Sequence, residues 1–316
     1  MHIAIIGAGI MGRMLAWRLA SQHQVTVYDA DLSGQCSAAW AAGGMLSPTA
    51  ESMRADSRLC TLASASLALW QQWFAAHGEQ IGWQQKGSVL MAHRHDQAVL
   101  QHQVAKIRKV LRQHAADKVI QRDALSYYLP GEACVDARKV LAFLQQAPVK
   151  WVEQRIGALD DIDCEVDVCL DCRGYQAYSS FPTLRAVRGE IVYVHAPEVS
   201  ILQPMRLIHP RYPIYIIPRG KGVYVLGASE IEAEDLSPMS VRTCMELLSA
   251  AYGMDSGFAE ARIMEMVVGL RPALSVNHPE IQHTDNIIAV NGLYRHGFLL
   301  APIMAQQVEE ILYDCY

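Results

Sequence analysis

The stretch "HIAIIGAGIMGRMLAWRLA", residues 2–20, decides the fold class of this chain. It reads as an apolar strand, a glycine-rich turn and a helix with apolar residues at helical spacing. Gly7, Gly9 and Gly12 have the G-x-G-x-x-G spacing of a dinucleotide-binding turn. In that turn the first glycine permits the tight bend, the second lets a pyrophosphate approach the backbone, and the third lets helix and strand pack closely.

The residues that follow continue the same unit. "QVTVYDAD", residues 24–31, supplies a second strand that ends at Asp29, where a carboxylate can accept hydrogen bonds from a ribose. The run "CSAAWAAGGMLSP", residues 36–48, favours FAD over NAD, because small residues let a backbone lie flat against a large planar ligand. A tightly packed buried helix is the alternative that these residues leave open.

Composition limits the classes of function. The chain has 316 residues and is 51% hydrophobic, enough for one or two domains, and its net charge of −5 gives no reason to expect a nucleic-acid partner. No signal-peptide pattern and no long apolar run are visible, so we expect a cytoplasmic protein without a membrane span. Cys169 and Cys172 fall in a buried-strand pattern, "VDVCLDCRG", which argues against a redox pair. His93 and His95 have no accompanying ligand cluster, so we expect no metal.

Five blocks, in their order and spacing, resemble the glycine oxidase branch of the D-amino acid oxidase family of flavoproteins. They are "GAGIMG", "SAAWAAGGMLSPTAE", "RGEIVYV", "YIIPRGKGVYVLGAS", and "GLRP" with "NGLYRHGFLLAP". The resemblance spans nearly the whole chain. It implies an FAD cofactor held by a nucleotide-binding domain, with a second domain of antiparallel sheet covering the flavin.

The expected fold is therefore α/β, with a Rossmann-type FAD-binding domain interleaved with an α+β substrate domain built on an antiparallel sheet. We assign residues 1–47, 149–182 and 262–316 to the FAD-binding domain, and 48–148 and 183–261 to the substrate domain. Apolar spacing predicts helices within 57–77, 96–114 and 135–146, the last capped by Asp136. Alternating runs predict antiparallel strands within 189–196, 213–219 and 222–229.

In the family, the flavin takes a hydride from the α-carbon of a small amino acid, and no protein base is required. We therefore name no catalytic residue. The resemblance implies that Arg271 and Tyr215 bind the substrate carboxylate and that Arg295 contacts the substrate beside the flavin. A guanidinium suits this role because it grips a carboxylate through two parallel hydrogen bonds. The plain alternatives are a structural ion pair for Arg271 and ordinary packing for Tyr215.

The resemblance also implies a set of cofactor contacts. The helix that begins near Gly297 would direct its N-terminus at the flavin edge where reduction places negative charge. The implied contact residues are Gly7, Gly9, Ile10, Met11, Gly12, Asp29, Ala30, Ala38, Ala39, Gly43, Gly44, Met45, Ile156, Leu293, Tyr294, His296, Gly297, Phe298 and Leu299.

The chain departs from the family pattern in two places. Glu230 follows "GAS", where an apolar side chain is more usual, and inside the pocket it could meet the substrate amine or alter which amine fits. The connection at 155–167 is short, which affects substrate access and oligomer contacts more than flavin binding.

The function that these patterns favour is oxidation of glycine, or a similar small amino acid, to the imine. Dioxygen would reoxidise the flavin to give hydrogen peroxide, and the imine would serve synthesis of the thiamine thiazole. The alternative is a dehydrogenase of D-amino or N-methyl amino acids with another electron acceptor. A flavin-binding sensor and a simple NAD dehydrogenase explain fewer of the blocks. The partners are then a small amino acid and dioxygen, and the family pattern allows a homo-oligomer.

Overall fold

A computed structural model of the chain describes residues 1–114, 119–157, 161–162, 166–209 and 214–315. The strands are β1 (His2–Ile6), β2 (Gln24–Asp29), β3 (Met45–Leu46), β4 (Ser88–Met91), β5 (Ile120–Gln121), β6 (Ser126–Leu129), β7 (Ala133–Cys134), β8 (Lys150–Glu153), β9 (Val168–Asp171), β10 (Arg185–His195), β11 (Met205–Leu207), β12 (Ile214–Gly220), β13 (Val223–Gly227), β14 (Ile231–Glu232), β15 (Arg262–Ala273), β16 (Glu280–Thr284) and β17 (Ile287–Asn291). The α-helices are α1 (Ile10–Leu19), α2 (Pro48–Glu51), α3 (Ser57–Phe74), α4 (Gln97–His114), α5 (Ala137–Leu144), α6 (Val241–Met254) and α7 (Gly297–Cys315). Short 3-10 helices cover Ala75–His77, Arg94–Asp96, Gly174–Gln176, Ser256–Glu260 and Tyr294–His296.

The N-terminal stretch forms the centre of a six-stranded sheet in the order β16-β17-β9-β1-β2-β8. All neighbours are parallel except β16, which pairs antiparallel with β17. The turn between β1 and α1 needs its glycines, because Gly7 has a φ of +101° and a Cβ on Gly12 would lie 1.8 Å from the Gly7 carbonyl oxygen. The predicted strand, turn and helix are therefore confirmed.

The second sheet has nine strands and is antiparallel apart from the β4–β11 pair. Its longest pairing joins β10 to β15, from Arg185 opposite Ala273 to His195 opposite Arg262. The three strands predicted from alternating runs are present as β10, β12 and β13. The mixed α/β class and the antiparallel second sheet agree with the prediction.

Two segments pack across the domain boundaries that we assign from the sequence. β15 belongs to the second sheet, so residues 262–273 do not continue the nucleotide-binding segment. Within 48–148, α3 and α5 join the core of the first sheet, because Trp70 and Leu141 are buried with Ile5. The Trp70 indole also donates to the carbonyl oxygen of Phe298 at 2.8 Å. Apolar spacing located these helices, but it carries no information about which sheet they cover.

Local features otherwise follow the sequence. Asp136 caps α5 by accepting hydrogen bonds from the backbone N–H groups of Arg138 and Lys139 at 3.1 and 3.2 Å. Cys169 lies inside β9, and burial raises the pKa of its thiol to about 12, so the buried-strand interpretation holds. The described helices include none long and apolar enough to cross a bilayer. The short connection at 155–167 lies partly outside the described residues.

Candidate active site

A cavity of about 830 Å³ lies where the carboxyl ends of β1 and β2 meet the second sheet. Its wall combines Gly9 and Asp29 from the first sheet with Tyr215 and Arg271 from the second. The volume is within the range of small-molecule sites, about 300–1,000 Å³. The two sheets therefore enclose one space that neither could form alone.

The end of the cavity beside β1 is held open by the glycine turn. A Cβ on Gly9 would meet no atom within 4 Å, so this residue faces empty space and not protein. Asp29 accepts hydrogen bonds from the backbone N–H of Ala8 at 2.5 Å and of Asp31 at 2.9 Å. The buried guanidinium of Arg13 donates to the Ala8 carbonyl oxygen at 2.6 Å, which fixes the turn from below. Each Asp29 oxygen keeps a lone pair that a ligand can use.

The small-residue run forms turns and extended backbone along the cavity wall, which excludes the buried-helix alternative. Ala38 and Ala39 line the cavity. Gly43 packs against Tyr215, since a Cβ added to Gly43 would lie 3.1 Å from the phenol oxygen. Gly44 has a φ of +62°, and its Cβ would lie 2.3 Å from the Val135 carbonyl oxygen. Its close neighbour is therefore the protein backbone.

The C-terminal block closes the cavity from the other side. Tyr294–His296 form a 3-10 turn, and α7 begins directly after it at Gly297. Phe298 and Leu299, in the first turn of α7, line the cavity wall. The positive end of the helix dipole therefore faces the cavity and favours negative charge there.

Nearly every residue predicted from the sequence reaches this cavity. Gly12 is the exception, because its Cα packs against the glycine turn and it does not line the wall. The lining residues are Gly7, Gly9, Ile10, Met11, Asp29, Ala30, Ala38, Ala39, Gly43, Gly44, Met45, Ile156, Leu293, Tyr294, His296, Gly297, Phe298 and Leu299, with Tyr215, Arg271 and Arg295.

Arg271 has no carboxylate in ion-pair contact among the described residues. Its Nη1 donates to the Ser229 carbonyl oxygen at 3.0 Å, and it makes no ion pair among the described residues. The guanidinium lies over Gly189, where a Cβ would come within 2.2 Å of Nη2. The structural-ion-pair alternative for Arg271 therefore fails within this part of the chain.

Tyr215 on β12 is paired directly with Arg206 on the neighbouring strand β11, and both residues line the same cavity. A Cβ on Gly227 would lie 2.6 Å from its hydroxyl, so bare glycine backbone leaves room for the ring. Burial raises the pKa of the Tyr215 phenol, which keeps it protonated and able to donate a hydrogen bond.

Arg295 differs from Arg271, because it already has carboxylate partners. Its Nη2 donates to Glu51 at 2.7 Å, and its Nη1 lies 3.9 Å from Glu230. Arg206 also pairs with Glu51, at 3.1 Å, and Arg54 pairs with Glu230, at 3.2 Å. We call Glu51, Glu230, Arg54, Arg206 and Arg295 the arginine–glutamate cluster. The predicted substrate contact at Arg295 would share that guanidinium with Glu51.

Charge within the cluster is set by burial and by the arginines. Burial alone would raise the pKa of the Glu51 carboxyl, but Arg295 and then Arg206 lower it to about 2. Burial lowers the pKa of His296 to about 4, although its Nδ1 lies 3.6 Å from Glu51. At neutral pH Glu51 is therefore ionised and His296 is neutral.

Sequence reasoning missed Glu51, Arg54 and Arg206. Glu51 and Arg54 closely follow the small-residue run, and Glu51 is the last residue of α2. A carboxylate directly after an apolar block was the signal that could have indicated Glu51. Glu132 holds this helix by accepting from the backbone N–H of Ala50 at 2.6 Å. Arg206 lies on a three-residue strand that carries no recognisable pattern.

Comparisons with known proteins agree on the family. The family model described as FAD dependent oxidoreductase matches residues 2–311. A protein of Rhizobium etli, whose name provisionally assigns it as the thiamine biosynthesis oxidoreductase ThiO, is 36% identical over 98% of this chain and 95% of its own length.

Solved structures agree on the fold. The glycine oxidase of Geobacillus kaustophilus superposes with a TM-score of 0.84 at 21% identity, covering 99% of this chain and 94% of that one. The iminodiacetate oxidase of Chelativorans sp. BNC1 has a TM-score of 0.82 at 21% identity, covering 99% of this chain and 95% of that one.

Proposed function

This chain belongs to the family of FAD-dependent oxidoreductases, and we propose that it oxidises glycine, or a similar small amino acid, to the imine. The observation that carries the proposal is the free guanidinium of Arg271. It shares the cavity with the Tyr215 hydroxyl, and it makes no ion pair with a carboxylate of the described residues. An arginine and a tyrosine together suit a substrate with a single carboxylate.

The residues around the cavity fit an FAD. Gly9 presents bare backbone to open space at the N-terminus of α1, which suits a pyrophosphate. Asp29 has acceptor capacity for a ribose, and Ala38, Ala39 and Gly43 leave a flat wall for an isoalloxazine ring. These residues, with the first turn of α7, would hold the cofactor.

The chemistry that FAD supplies when bound is acceptance of a hydride from the substrate α-carbon, with dioxygen as final oxidant and hydrogen peroxide as product. Arg271 and Tyr215 would orient the substrate by its carboxylate and hold the α-carbon in place. Glu51 and His296 are buried beside Arg295. The first turn of α7 favours negative charge at the cavity wall.

The name of the Rhizobium etli relative supports a role in thiamine synthesis, with the imine product feeding formation of the thiazole ring. We place the enzyme in the cytoplasm, where such a product would be used. The dehydrogenase alternative shares the same fold and cofactor, and the relatives do not favour it.

The test is a substrate screen with the purified protein. We expect a yellow protein that forms peroxide with glycine and sarcosine, and much less with D-amino acids that carry large side chains. Met45 and Tyr215 flank the cavity, and one methylene in a tight pocket costs about 1–3 kcal/mol. A colourless protein that binds NAD would contradict the proposal, and turnover only with an artificial acceptor would establish the dehydrogenase alternative.

A further inference from the structure

Glu230 lies at the cavity wall, in the segment that follows β13. The Tyr294 hydroxyl donates a short hydrogen bond to one carboxylate oxygen. The other oxygen lies 3.2 Å from Nη1 of Arg54 and 3.9 Å from Nη1 of Arg295. A carboxylate has about four lone-pair positions, so these contacts leave Glu230 able to accept a further hydrogen bond.

The same segment connects Glu230 to Arg271. Arg271 donates to the carbonyl oxygen of Ser229, the residue directly before Glu230, at 3.0 Å. The cavity wall therefore includes Arg271, which has no ion pair among the described residues, and Glu230, whose carboxylate can accept a further hydrogen bond. An α-amino acid carries the complementary pair of charges, a carboxylate and an ammonium on neighbouring atoms.

We propose that Glu230 binds the amino group of the substrate while Arg271 binds its carboxylate, so that the pocket selects amino acids with one carboxylate and disfavours those with a second carboxylate on the amine side. This inference rests on the proposed function. Glu230 is then a substrate-binding residue, and its negative charge repels a group such as the N-carboxymethyl of iminodiacetate. Like charges brought together in a partly desolvated site discriminate strongly.

The proposal has a consequence for proton movement. The substrate ammonium must lose one proton to the solvent before its α-carbon can give up a hydride. An adjacent carboxylate stabilises the ammonium and raises its pKa in the complex. Glu230 stays ionised throughout, because Tyr294, Arg295, Arg54 and Arg271 together lower its pKa against the effect of burial.

Among the described residues, the arginines that face Glu230 are Arg54, Arg271 and Arg295. The pKa of the Tyr294 hydroxyl, which donates to Glu230, is raised to about 12 by burial and by Glu230. Behind Arg295, the pKa values of Glu51 and His296 are about 2 and about 4. The acid limb of the kcat profile should therefore report the bound substrate amine, at a pH above neutral.

The experiment compares Glu230→Gln with a matched control, Glu232→Gln, in the FAD-loaded enzyme. Glu232 is an exposed β14 residue that pairs with Arg185 and does not line the cavity. In Glu230→Gln, KM for glycine should rise about 10- to 100-fold, as expected for a lost charged hydrogen bond. The acid limb of kcat should move to lower pH, and the ratio of iminodiacetate to glycine turnover should increase.

Acetate, which has the carboxylate but no amine, gives a readout that does not depend on turnover. Its binding, followed by flavin absorbance, should be equal or tighter in Glu230→Gln, because a negative charge has been removed. The Glu232→Gln control should behave as wild type in every measurement.

Two results would overturn the inference. An unchanged KM and kcat profile would show that the substrate amine does not meet Glu230. Equal weakening of glycine and acetate would show that Glu230 only shapes the cavity. A wild-type enzyme that oxidises no amino acid would refute the proposed function instead. Glycine binding could then still be followed by flavin absorbance, as for acetate. Weaker binding of glycine but not of acetate in Glu230→Gln would still support the inference.

Discussion

Replacing Arg271 by alanine should abolish most activity on glycine while leaving the protein folded and loaded with FAD. The free energy of unfolding should fall only slightly, because among the described residues Arg271 makes one hydrogen bond, to the Ser229 carbonyl oxygen, and no ion pair. A hydrogen bond of this kind contributes about 0.5–1.5 kcal/mol, or up to about 3 kcal/mol when the donor is charged. The substrate, by contrast, would lose its main charged partner.

Truncating one member of a buried charge pair costs about 2–5 kcal/mol, which corresponds to about 30-fold up to several thousand-fold in kcat/KM. Steady-state peroxide kinetics, the flavin spectrum and the melting temperature should be measured for each variant. Arg262→Ala is the control, since it lies at the far, exposed end of the same strand, β15. A small amine without a carboxylate should lose much less activity in Arg271→Ala, because it never used the guanidinium.

Arg295→Ala provides the contrast. Removal of the Arg295 side chain leaves the Glu51 carboxylate buried with Arg206 and a neutral His296. The free energy of unfolding of this variant should therefore fall by about 3 kcal/mol or more, and activity should fall as well. Wild-type efficiency on glycine in Arg271→Ala would refute the carboxylate assignment. Loss of FAD from that variant would refute the claim that Arg271 acts on the substrate alone.

Three further outcomes follow from the same geometry. Gly189→Ala should keep the fold but lower kcat/KM for glycine, because the new Cβ, 2.2 Å from Nη2, must displace the flexible end of Arg271; crystal structures and kinetics would check this. Gly9→Val should fold but fail to retain FAD, since its side chain enters open space, whereas Gly44→Val should reduce soluble yield and melting temperature, since it collides with backbone. His296 has its pKa lowered by burial from 6.5 to about 4, so the unfolded chain binds more protons in that window, and the free energy of unfolding should fall by up to about 3 kcal/mol as pH drops through it. His296→Gln should remove most of that slope in urea titrations, and a slope equal to wild type would contradict the assignment.

The elements that the sequence predicted well are those with local causes. The glycine turn, the strand that ends at Asp29 and the Asp136 cap each depend on residues within a few positions, so pattern and propensity suffice. Which sheet a helix or strand packs against is not a local property, so the sequence pattern does not record it. α3 has the apolar spacing of any amphipathic helix, and only contact with Phe298 and its neighbours shows which core it joins.

The residues that line the cavity wall were also predictable, because short sequence blocks carry them. Almost all of the implied contact residues line one cavity, since each block supplies a turn or a helix start to the same place. The reason for Gly44 was not predictable. Its requirement for glycine comes from Val135, about 90 residues later in the chain, and not from the ligand.

The sequence by itself determined the nucleotide-binding unit, because residue type and short spacing carry that information, and its resemblance to a known family indicated the cofactor and the candidate arginines. Only the tertiary structure decided which arginine makes no ion pair in the part of the chain that it describes. Arg295 meets Glu51 across 244 residues of chain, and Arg206 meets the same carboxylate from a third segment. Arg271 meets a carbonyl oxygen and no carboxylate within the described part of the chain. Net charge at a site depends on which distant side chains fold to within a few ångströms of one another, and no local pattern records that.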